Sequence, residues 1–594
     1  MEKRQDASIN VYLNGLGLGS IAAAMYLIQK ADFNPSSIHI FEQNGDKDLV
    51  GGSCDASERA VNGQPAYFMQ GSRMFEDKVY PCTKELWSMI PYNDHESCLQ
   101  DHEKNREECG IDTVVRLLHG NGRKDTGYRL GLNAADKLKM AKLLATPESL
   151  VPDGAKITDM FGEAFFTSNY WYMWRSLFAF QPWHSAVEMK RYMHLFFHEM
   201  PHMNTMVALE RTRFTNFHSF ILPALRFMRE KGVNFHYNRR ISDVDFETGP
   251  GGKERWIGRI HLETGSGEPE PSIEVRDTDL VFLTIGSMVS NASFGAHDRP
   301  VDQPAAGSEN PGGAWTLWKK IAAKQPDFGR PDQFLRDISQ SRMMTFTVTL
   351  RGGLFQRKFE WLVERQMGRQ SPLPLTASPW ILHLHTYRQP LFPDQPRDTC
   401  VIWVTALRDS NIGTFVKKTM PECTGREILE ELLGHLQFDQ DEAEKNEILD
   451  TSTCIPACCP TASASFSAEP RGTGLLWCRR VPGTSRFSGS LWKSPTGSYS
   501  PRSIACWARS TRLKSWSSRR WPCLRCISDS TTRSPALRLQ ALWPARRASQ
   551  PGPRPPQLSV CTSGGGASRF QFRMTFSNSS TTTRMARGGR AFLG

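Results

Sequence analysis

The feature that most restricts how this chain can fold is a glycine-rich turn between a strand-like and a helix-like segment. Ile9–Leu13 is β-branched and aromatic, the turn Gly15-Leu-Gly-Leu-Gly-Ser20 follows it, and Ile21–Lys30 is largely small and apolar. A second strand-like segment, Ser37–Phe41, ends at Glu42. Strand, turn, helix, strand and acid in this order predict a βαβ unit that binds a dinucleotide at the N-terminus of its helix.

Each residue type in this unit has a physical role. Gly15 permits the tight turn, Gly17 lets backbone N–H groups approach a pyrophosphate, and Ser20 is compact enough for close helix packing. Glu42 can accept the ribose hydroxyls, which argues against the 2′-phosphate of NADP, and the adjacent Gln43 is assigned to the same predicted site. The alternative interpretation is a glycine-rich loop that arose by chance.

A second group of predicted cofactor-binding residues lies downstream. Gly51-Gly-Ser-Cys-Asp55 is a tight turn of the kind that wraps the cofactor in flavoproteins, although an ordinary surface turn is the alternative. Gly286 and Ser287 follow a buried-type strand, Asp279–Thr284. With Arg73 and Val244 added, the predicted FAD-binding residues are Gly15, Gly17, Ser20, Glu42, Gln43, Gly51, Gly52, Ser53, Asp55, Arg73, Val244, Gly286 and Ser287.

Later segments predict how this domain is completed. Phe220–Gly232 has the apolar spacing of a helix, Val233–Tyr237 and Ile241–Phe246 alternate like strands, and an aromatic block, Phe165–Phe197, precedes them. The predicted fold is α/β, with a discontinuous Rossmann-type FAD-binding domain and an inserted, largely helical, aromatic-rich substrate domain. The predicted boundaries are 1–130 and 220–300 for the two FAD-binding parts, 131–219 for the helical insert, 301–456 for the remaining substrate domain and the return to the FAD domain, and 457–594 for a tail.

The charge divides the chain into two unlike parts. Its formal net charge of +12 alone suggests an anionic partner such as nucleic acid. Residues 451–594, however, contain 22 basic and two acidic residues, so they contribute +20 and residues 1–450 contribute −8. Because the tail shows neither structural periodicity nor an RNA-binding signature, it is predicted to be disordered, and nucleic acid is not predicted as a partner.

The cellular setting follows from what the sequence lacks. The charged N-terminus shows no apolar signal segment, and no uncharged apolar stretch is long enough to span a membrane. The six cysteines before residue 450 have no CxxC spacing, which predicts reduced thiols and no metal site. A cytoplasmic protein is therefore expected.

Several segments resemble the oleate hydratases, a family once called myosin-cross-reactive antigens. In order, they are Gly71–Glu76, Phe178–Tyr192, Gly286–Met288, Arg388–Pro390, Phe415–Lys418 and Cys423–Glu427. Members bind FAD and add water across the cis double bond of free unsaturated fatty acids, as in the conversion of oleate to 10-hydroxystearate. The resemblance implies the same activity and substrate class here and, by analogy, peripheral contact with membranes. Oligomeric state does not follow from it.

The resemblance also implies catalytic roles. Tyr192 falls on the family's Tyr, the proton donor, although a helix aromatic packed in the aromatic block is the alternative. The Glu that acts on water in the family falls on Met74, which cannot accept a proton. Glu76 is the nearest carboxylate and is kept as a surrogate, with a solvated or capping carboxylate as the alternative.

The predicted substrate-binding residues also depart from the family's pattern. Asn216, His385 and Tyr387 stand where the family has Gln, Thr and Asn, and Leu391 stands where it has His. His385 could pair with a carboxylate or could simply be a strand residue of Ile381–His385. These changes leave the preferred acyl chain open.

Two segments of the tail indicate a shifted reading frame. With suitable synonymous codons read two nucleotides on, Phe487–Gly497 becomes Leu-Gly-Gln-Phe-Val-Glu-Ile-Pro-Asp-Gly. In the same frame, Tyr499–Ser510 becomes Phe-Thr-Thr-Glu-Tyr-Ser-Val-Leu-Gly-Ala-Val. Both products resemble the family's flavin-closing C-terminus. The hypothesis is that the chain is read out of frame from about Pro456–Cys459 onward.

Three functions are therefore consistent with the sequence. The first is an FAD-dependent fatty-acid hydratase, and the runner-up enzyme is a flavin-dependent oxidoreductase. Because of Met74 and the altered tail, the third is a catalytically impaired protein that binds FAD or fatty acid.

Overall fold

Strands and helices alternate through the first part of the chain, and a second sheet follows. The computed structural model describes residues 9–461, except 46–49, 62, 77, 110–112, 121, 123, 126–128, 153, 250–254, 303–311 and 370, and two further short strands, Leu475–Cys478 and Gly489–Leu491.

The strands are β1 (Val11–Asn14), β2 (Ile38–Phe41), β3 (Ala56–Val61), β4 (Gln64–Met69), β5 (Leu117–Leu118), β6 (Lys124–Asp125), β7 (Asn234–His236), β8 (Arg239–Thr248), β9 (Arg255–Thr264), β10 (Pro269–Glu274), β11 (Leu280–Thr284), β12 (Ser293–Phe294), β13 (Met343–Arg351), β14 (Leu373–Pro374), β15 (Leu382–His385), β16 (Thr399–Ala406), β17 (Thr453–Cys459), β18 (Leu475–Cys478) and β19 (Gly489–Leu491). The α-helices are α1 (Leu18–Ala31), α2 (Pro81–Met89), α3 (Cys98–Cys109), α4 (Ala134–Ala145), α5 (Ile157–Met160), α6 (Glu163–Phe166), α7 (Asn169–Phe178), α8 (Ala186–Leu195), α9 (Leu222–Glu230), α10 (Gly313–Lys324), α11 (Asp332–Leu335), α12 (Ile338–Ser341), α13 (Leu354–Val363), α14 (Gly425–Leu436) and α15 (Glu442–Thr451).

The first sheet is built on the predicted βαβ unit. Its order is β19-β18-β11-β1-β2-β7, and β11, β1, β2 and β7 run parallel. β1 and most of β2 and β11 are buried, as expected for parallel strands covered by helices on their faces. The order β7-β2-β1-β11 is that of one half of a Rossmann fold, so the α/β prediction is confirmed.

Helix α1 has small residues at many of its buried positions, which allows close packing in its first turns. Gly19, Ser20 and Ala22–Ala24 are all buried. The helix ends at Asp32, whose φ of 50° is the left-handed conformation common just after a helix. The predicted helix Ile21–Lys30 therefore exists and starts one turn earlier.

The second predicted part of the Rossmann domain is also observed. The helix predicted at Phe220–Gly232 is a π-helical turn, Phe217–Ile221, that continues into α9. β7 joins the parallel sheet, and β8, β9 and β10 form an antiparallel insert before β11 returns to pair with β1. The domain boundaries themselves remain a prediction.

The aromatic block forms the core of the helical region between β6 and β7. Helices α4 to α8 lie there, and the buried residues of this region include Trp171 and Trp174 of α7 and Phe180 between α7 and α8. The core therefore rests on large aromatic rings, and it places Tyr192 of α8 against them.

A second six-stranded sheet, in the order β12-β17-β13-β16-β15-β14, is antiparallel and buried on both faces. One face packs against α13, α14 and α15. On the other, β4 crosses β13, and the backbone N–H groups of Tyr67 and Met69 donate to the hydroxyls of Thr349 (2.8 Å) and Thr347 (3.1 Å). Threonine hydroxyls on the buried face of β13 therefore accept hydrogen bonds from the backbone of β4.

The predicted tail begins inside a strand, because β17 continues in register with β13 through Cys459. Thr461 is buried, and its hydroxyl donates to the carbonyl of Ser287 at 3.2 Å. β18 and β19 extend the first sheet beyond β11, so the predicted lack of regular structure does not hold for those seven residues. The rest of the tail lies outside the described residues.

Two other expectations concern thiols and membrane spans. The nine cysteines from Cys54 to Cys459 are free, in agreement with the predicted reduced thiols. Within the described residues, no helix combines the length and apolarity that crossing a bilayer requires.

Candidate functional site

Two glycine turns meet at the carboxyl end of β1. Gly15 and Gly51 have φ angles of 77° and 95°, which side chains rarely adopt. The Gly51 N–H donates to the Leu16 carbonyl at 3.0 Å, and a Cβ on Gly52 would stand 3.6 Å from Gly17 Cα. The backbone conformation of the two turns, rather than the space between them, therefore favours glycine at Gly15 and Gly51.

The N-terminus of α1 is open toward the space beside these turns. Gly17 caps the helix without a side-chain hydrogen bond, the first turn carries no acid, and a Cβ on Gly17 would meet no atom within 4 Å. Free N–H groups and a positive helix end suit a phosphate. Ser20 turns inward and donates to the Asn14 carbonyl at 3.0 Å, which fits its predicted packing role.

Glu42 ties the glycine turn to the end of β2. Its Oε2 accepts from Leu16 N–H at 2.7 Å and its Oε1 from Asn44 N–H at 3.0 Å. Burial raises the pKa of this carboxyl, and the backbone donors act in the opposite direction. Because a carboxylate oxygen has more than one acceptor site, Glu42 can still accept ribose hydroxyls. Gln43 points instead toward Gly313.

A cleft of about 130 Å³ opens next to the two turns. It is lined by Gly17, Leu18, Gly19, Gly52, Ser53, Cys54, Arg73, Met74, Phe75, Tyr80, Thr83, Phe220, Thr284, Ile285, Gly286, Ser287 and Met288. Six of the thirteen predicted cofactor-binding residues line this cleft, and the other seven do not: Gly15, Ser20, Glu42, Gln43, Gly51, Asp55 and Val244. Val244 lies in β8. Its N–H donates a hydrogen bond to Asp243 Oδ1, and its carbonyl accepts one from Lys324 Nζ.

Arg73 is held in the cleft at both its backbone and its side chain. Its Nη2 donates to Ser53 Oγ at 3.0 Å, and its N–H donates to Asn216 Oδ1 at 2.6 Å. The Asn216 amide in turn donates to Thr212 Oγ1 at 3.1 Å. Asn216 therefore positions Arg73, which sequence reasoning did not anticipate when it assigned Asn216 to substrate.

The donor groups of the cleft, together with Glu42 outside its wall, fit FAD. The α1 N-terminus and the adjoining glycine turns would hold the pyrophosphate, Glu42 the ribose, and Arg73 a further anionic or carbonyl group.

Tyr192 lies behind the cleft rather than on its wall. It is 5% exposed, and its ring packs against Phe178 at 5.1 Å and Phe180 at 5.2 Å between centroids. Burial raises its pKa well above the ordinary value; Tyr80 raises it further, and Arg73 lowers it. Because Tyr80 and Arg73 line the cleft, Tyr192 is adjacent to it. The phenol is neutral at physiological pH.

Tyr80 is a site residue that sequence reasoning missed. It lines the cleft and immediately precedes α2. The Tyr80-Pro81 pair predicts a helix start, because proline is favoured at the first helical position. It contains no signal for the direction of the tyrosine side chain.

The two candidates for water activation lie in different places. Met74 lines the cleft. Glu76 is buried away from it, where its Oε2 accepts from Val79 N–H at 2.8 Å and lies 3.3 Å from His198 Nε2. Glu76 thus caps a turn, although it is not solvated, and no carboxylate lines the cleft among the described residues.

His385 and Tyr387 lie together at the end of β15, on the far side of Met74. Burial lowers the pKa of His385 to about 3, so its ring is neutral and cannot form an ion pair with a carboxylate at neutral pH. The Tyr387 ring lies 4.6 Å from the guanidinium of Arg211, and an Nη2 of Arg211 lies 3.6 Å from Met74 Sδ. Arg211 is the second residue that sequence reasoning missed.

Comparisons with known proteins cover most of the chain. A model of the MCRA family matches residues 8–473. An oleate hydratase from Streptococcus pyogenes serotype M49 (strain NZ131) is 29% identical over 480 residues, 78% of this chain and 77% of that protein. A linoleate hydratase from Lactiplantibacillus plantarum is 27% identical over 481 residues, 76% of this chain and 84% of that protein. Among solved structures, an oxidoreductase from Methanosarcina mazei is 12% identical, with a TM-score of 0.41 and coverage of 85% and 100% of the two chains.

Proposed function

The chain belongs to the MCRA family, and we propose that it is an FAD-binding hydratase that adds water to a cis double bond of an unsaturated fatty acid. The observation that carries the proposal is Tyr192, a buried neutral phenol beside two residues of the dinucleotide cleft. The named relatives, hydratases of oleate and linoleate, support an unsaturated fatty acid as the substrate.

Protonation of an isolated alkene requires a donor that stays protonated until the substrate is in place. Burial keeps Tyr192 neutral, and Arg73 nearby favours the phenolate that forms when the proton leaves. The aromatic rings around Tyr192 exclude bulk water from the carbocation-like transition state. Tyr192 is therefore the proton donor in this proposal.

FAD, when bound, would supply shape and charge to the site rather than net redox chemistry. Gly17, Gly52 and Arg73 would hold it, and Arg73 would stay fixed because Ser53 and Asn216 bind it. These contacts orient the cleft without taking part in proton transfer.

Water activation is the weak step of this site. Met74 cannot accept a proton, and Glu76 bonds to a turn outside the cleft. Water would thus be oriented by backbone groups of the cleft and would attack without a strong base; the proton that it loses would pass to solvent, and Tyr192 would be reprotonated from solvent. We therefore propose a slow hydratase whose reaction is driven mainly by proton donation.

The same residue favours a second candidate. A chain with Met74 in place of the family's Glu could bind FAD and fatty acid without hydrating it. We also propose cytoplasmic location with contact to membrane surfaces, which is supported by the exposure of Leu138 (71%) and Leu150 (70%) in the helical region.

The test is to incubate the purified protein with FAD and either oleate or linoleate and to analyse the products by mass spectrometry. The hydratase predicts a hydroxy acid and no reduction of the flavin under anaerobic conditions. Fatty-acid binding without product would favour the second candidate. Reduction of bound FAD by substrate would favour an oxidoreductase instead.

A further inference from the structure

A histidine and two glutamates come together where the helical region meets the chain segment that precedes α2. Their ligating atoms, one each from Glu76, His198 and Glu199, all lie within 4.8 Å of one another. In the part of the chain that the structure describes, this is the one group of three or more such side chains that could hold a metal ion. We call Glu76, His198 and Glu199 the histidine–glutamate cluster.

The sequence places two members of the cluster on one short turn after α8. Residues 198–202 read His-Glu-Met-Pro-His, which is the H-E-x-x-H order that zinc sites use on helices. Here the turn is a 3₁₀ helix, Phe197–His202, with Pro201 inside it. His202 lies 3.6 Å from Glu199 Oε2 and is not part of the cluster, because Glu76 supplies the third ligating atom instead.

The separations within the cluster suit a small metal ion better than a hydrogen-bonded pair. His198 Nε2 lies 3.3 Å from Glu76 Oε2 and 3.6 Å from Glu199 Oε1. Both distances exceed the length of an N–H···O hydrogen bond, which is about 2.7–3.2 Å. Metal–ligand bonds of about 2.0–2.2 Å around a tetrahedral zinc ion place neighbouring ligand atoms about 3.3–3.6 Å apart. The two measured separations therefore match those of atoms that surround an ion.

The cluster also contains buried atoms that lack a partner. Neither His198 Nε2 nor Glu199 Oε2 has a hydrogen-bond partner among the described residues, and both atoms are buried. Glu76 is 4% exposed, and its Oε2 accepts from the Val79 N–H at 2.8 Å. The ion-pair partners that the structure describes for the two glutamates are histidines, without a lysine or an arginine. Because buried charges are normally paired or bind a metal, a divalent cation would satisfy these atoms together.

A small cavity beside the cluster provides space for one further ligand. Glu199 and His202 line it together with apolar side chains, and its volume is about 20 Å³. A single water molecule needs about 10–15 Å³ of such space. Three protein ligands and one water form the four-coordinate set that zinc takes at open sites.

We propose that the histidine–glutamate cluster binds one divalent transition-metal ion of the zinc type, with a water molecule as its fourth ligand. An imidazole nitrogen with two carboxylate oxygens favours Zn²⁺ over Mg²⁺ and Ca²⁺, which prefer oxygen ligands alone. The proposal revises the sequence-based expectation of no metal site, which rested on the spacing of the cysteines.

The ion would join two segments that are far apart in the sequence. The carbonyl of Glu76 accepts from the N–H of Tyr80 at 2.9 Å, and Tyr80 lines the cleft. The 3₁₀ helix that carries His198 and Glu199 follows α8, the helix of Tyr192. The metal is therefore a structural link between the cleft and the helical region, and it does not depend on the proposed hydratase activity.

The test loads the purified full chain with Co²⁺ after a chelator has removed any metal. Co²⁺ is the probe because nitrogen and oxygen ligands give visible absorption bands without the near-ultraviolet charge-transfer bands of thiolate ligands. The spectrum therefore distinguishes the cluster from the cysteines of the chain. Titration with Zn²⁺ then measures displacement of the bound Co²⁺.

Three variants, Glu76→Gln, His198→Gln and Glu199→Gln, are compared with the original chain. Glutamine at position 76 can still accept from the Val79 N–H, so this variant removes the charge and leaves the turn. His261→Gln is the matched control, because His261 pairs with Asp245 at 2.6 Å and no third ligand joins them among the described residues.

We expect one Co²⁺ per chain, without thiolate bands, and displacement of this ion by Zn²⁺. Each cluster variant should bind Co²⁺ at least about tenfold more weakly, and the control should bind it as the original chain does. Zn²⁺ should also slow hydrogen exchange in the original chain at residues 76–80 and 197–202. A Co²⁺ spectrum with thiolate bands alone, unchanged binding in all three variants, equal weakening in the control, or no protection of these two segments would overturn the proposal.

Discussion

Tyr192 could serve in packing and, under the proposed function, in chemistry. Its ring is part of the aromatic core of the helical region, and the same burial that makes it a core residue raises the pKa of its hydroxyl. The two interpretations that the sequence left as alternatives are therefore physically compatible. In the proposed site, Met74 stands where the family has its base.

Changing Tyr192→Phe removes the proton donor and leaves the packing ring. We expect the rate of hydration to fall at least about hundredfold, within the range for loss of a general acid, and fatty-acid binding to stay the same. Steady-state rates for oleate measure this. Tyr237→Phe is the control, because the Tyr237 hydroxyl bonds to Arg229 at the edge of the first sheet. Full activity of the Tyr192 variant would exclude the proposed donor.

Changing Met74→Glu adds a carboxylate to the cleft next to Arg211, which would keep it ionised. We expect kcat to rise at least about tenfold, since the new base activates water. A Met74→Gln variant, which has similar size but no charge, should not raise kcat. Equal rates for the Glu and Gln variants would contradict this account of the site.

At the scale of elements, the proposed FAD site depends on the N-terminus of α1, which has no side-chain cap and lies beside two glycine turns. Strand β15 carries two buried histidines, His383 and His385, and burial lowers the pKa of both.

Changing Gly17→Ala should weaken FAD binding without harming the fold. The added methyl group meets no atom within 4 Å in the protein but enters the space proposed for the pyrophosphate. We expect the Kd for FAD to rise about tenfold or more, as measured by flavin fluorescence. Gly162→Ala is the control, because Gly162 also caps a helix, has extended backbone and offers open space to a Cβ. An equal Kd in both variants would argue against a phosphate at α1.

The histidines of β15 make stability depend on pH. Their pKa values are lowered in the folded chain, so below about pH 6.5 the unfolded chain binds protons that the folded chain cannot. Stability is therefore full above that pH and falls as pH decreases, by about 1.4 kcal/mol per histidine per pH unit. Urea unfolding of His383→Leu between pH 6 and 4 should show a shallower loss than the original chain. The exposed His95→Gln control should show the original slope, and a His383 variant with that slope would show that its burial does not matter.

At the scale of the whole molecule, local sequence patterns predicted the Rossmann unit but not which residues meet in the candidate site. The βαβ unit, the return of β11 and the helical insert follow from local patterns, since spacing and turn residues report on neighbours in the chain. The grouping of Arg73 with Asn216, and of Arg211 with Met74 and Tyr387, joins residues 137 or more positions apart, which no local pattern encodes. The substrate-binding role of Asn216 stays a prediction, and its hydrogen bond to Arg73 could not be foreseen from the sequence.

The C-terminal region is the part of the chain that the proposed shift of reading frame affects. The family match ends at residue 473, while β17 is in register through Cys459. We therefore expect sequencing of the transcript over codons 450–500 to reveal a frame that restores the family-like segments, and the restored protein to bind FAD more tightly than the present chain. An intact message that ends as written here would refute the frame shift.

Whether the protein is a hydratase is decided by the fate of oleate in water labelled with heavy oxygen. The FAD-loaded protein, with its C-terminus as given or restored, is incubated with oleate, and the product is examined by mass spectrometry. The hydratase account predicts a hydroxy acid that carries one labelled oxygen, formed by the original chain and lost in Tyr192→Phe. Oleate recovered unchanged from both forms of the protein, or a product oxygen that does not come from water, would contradict it.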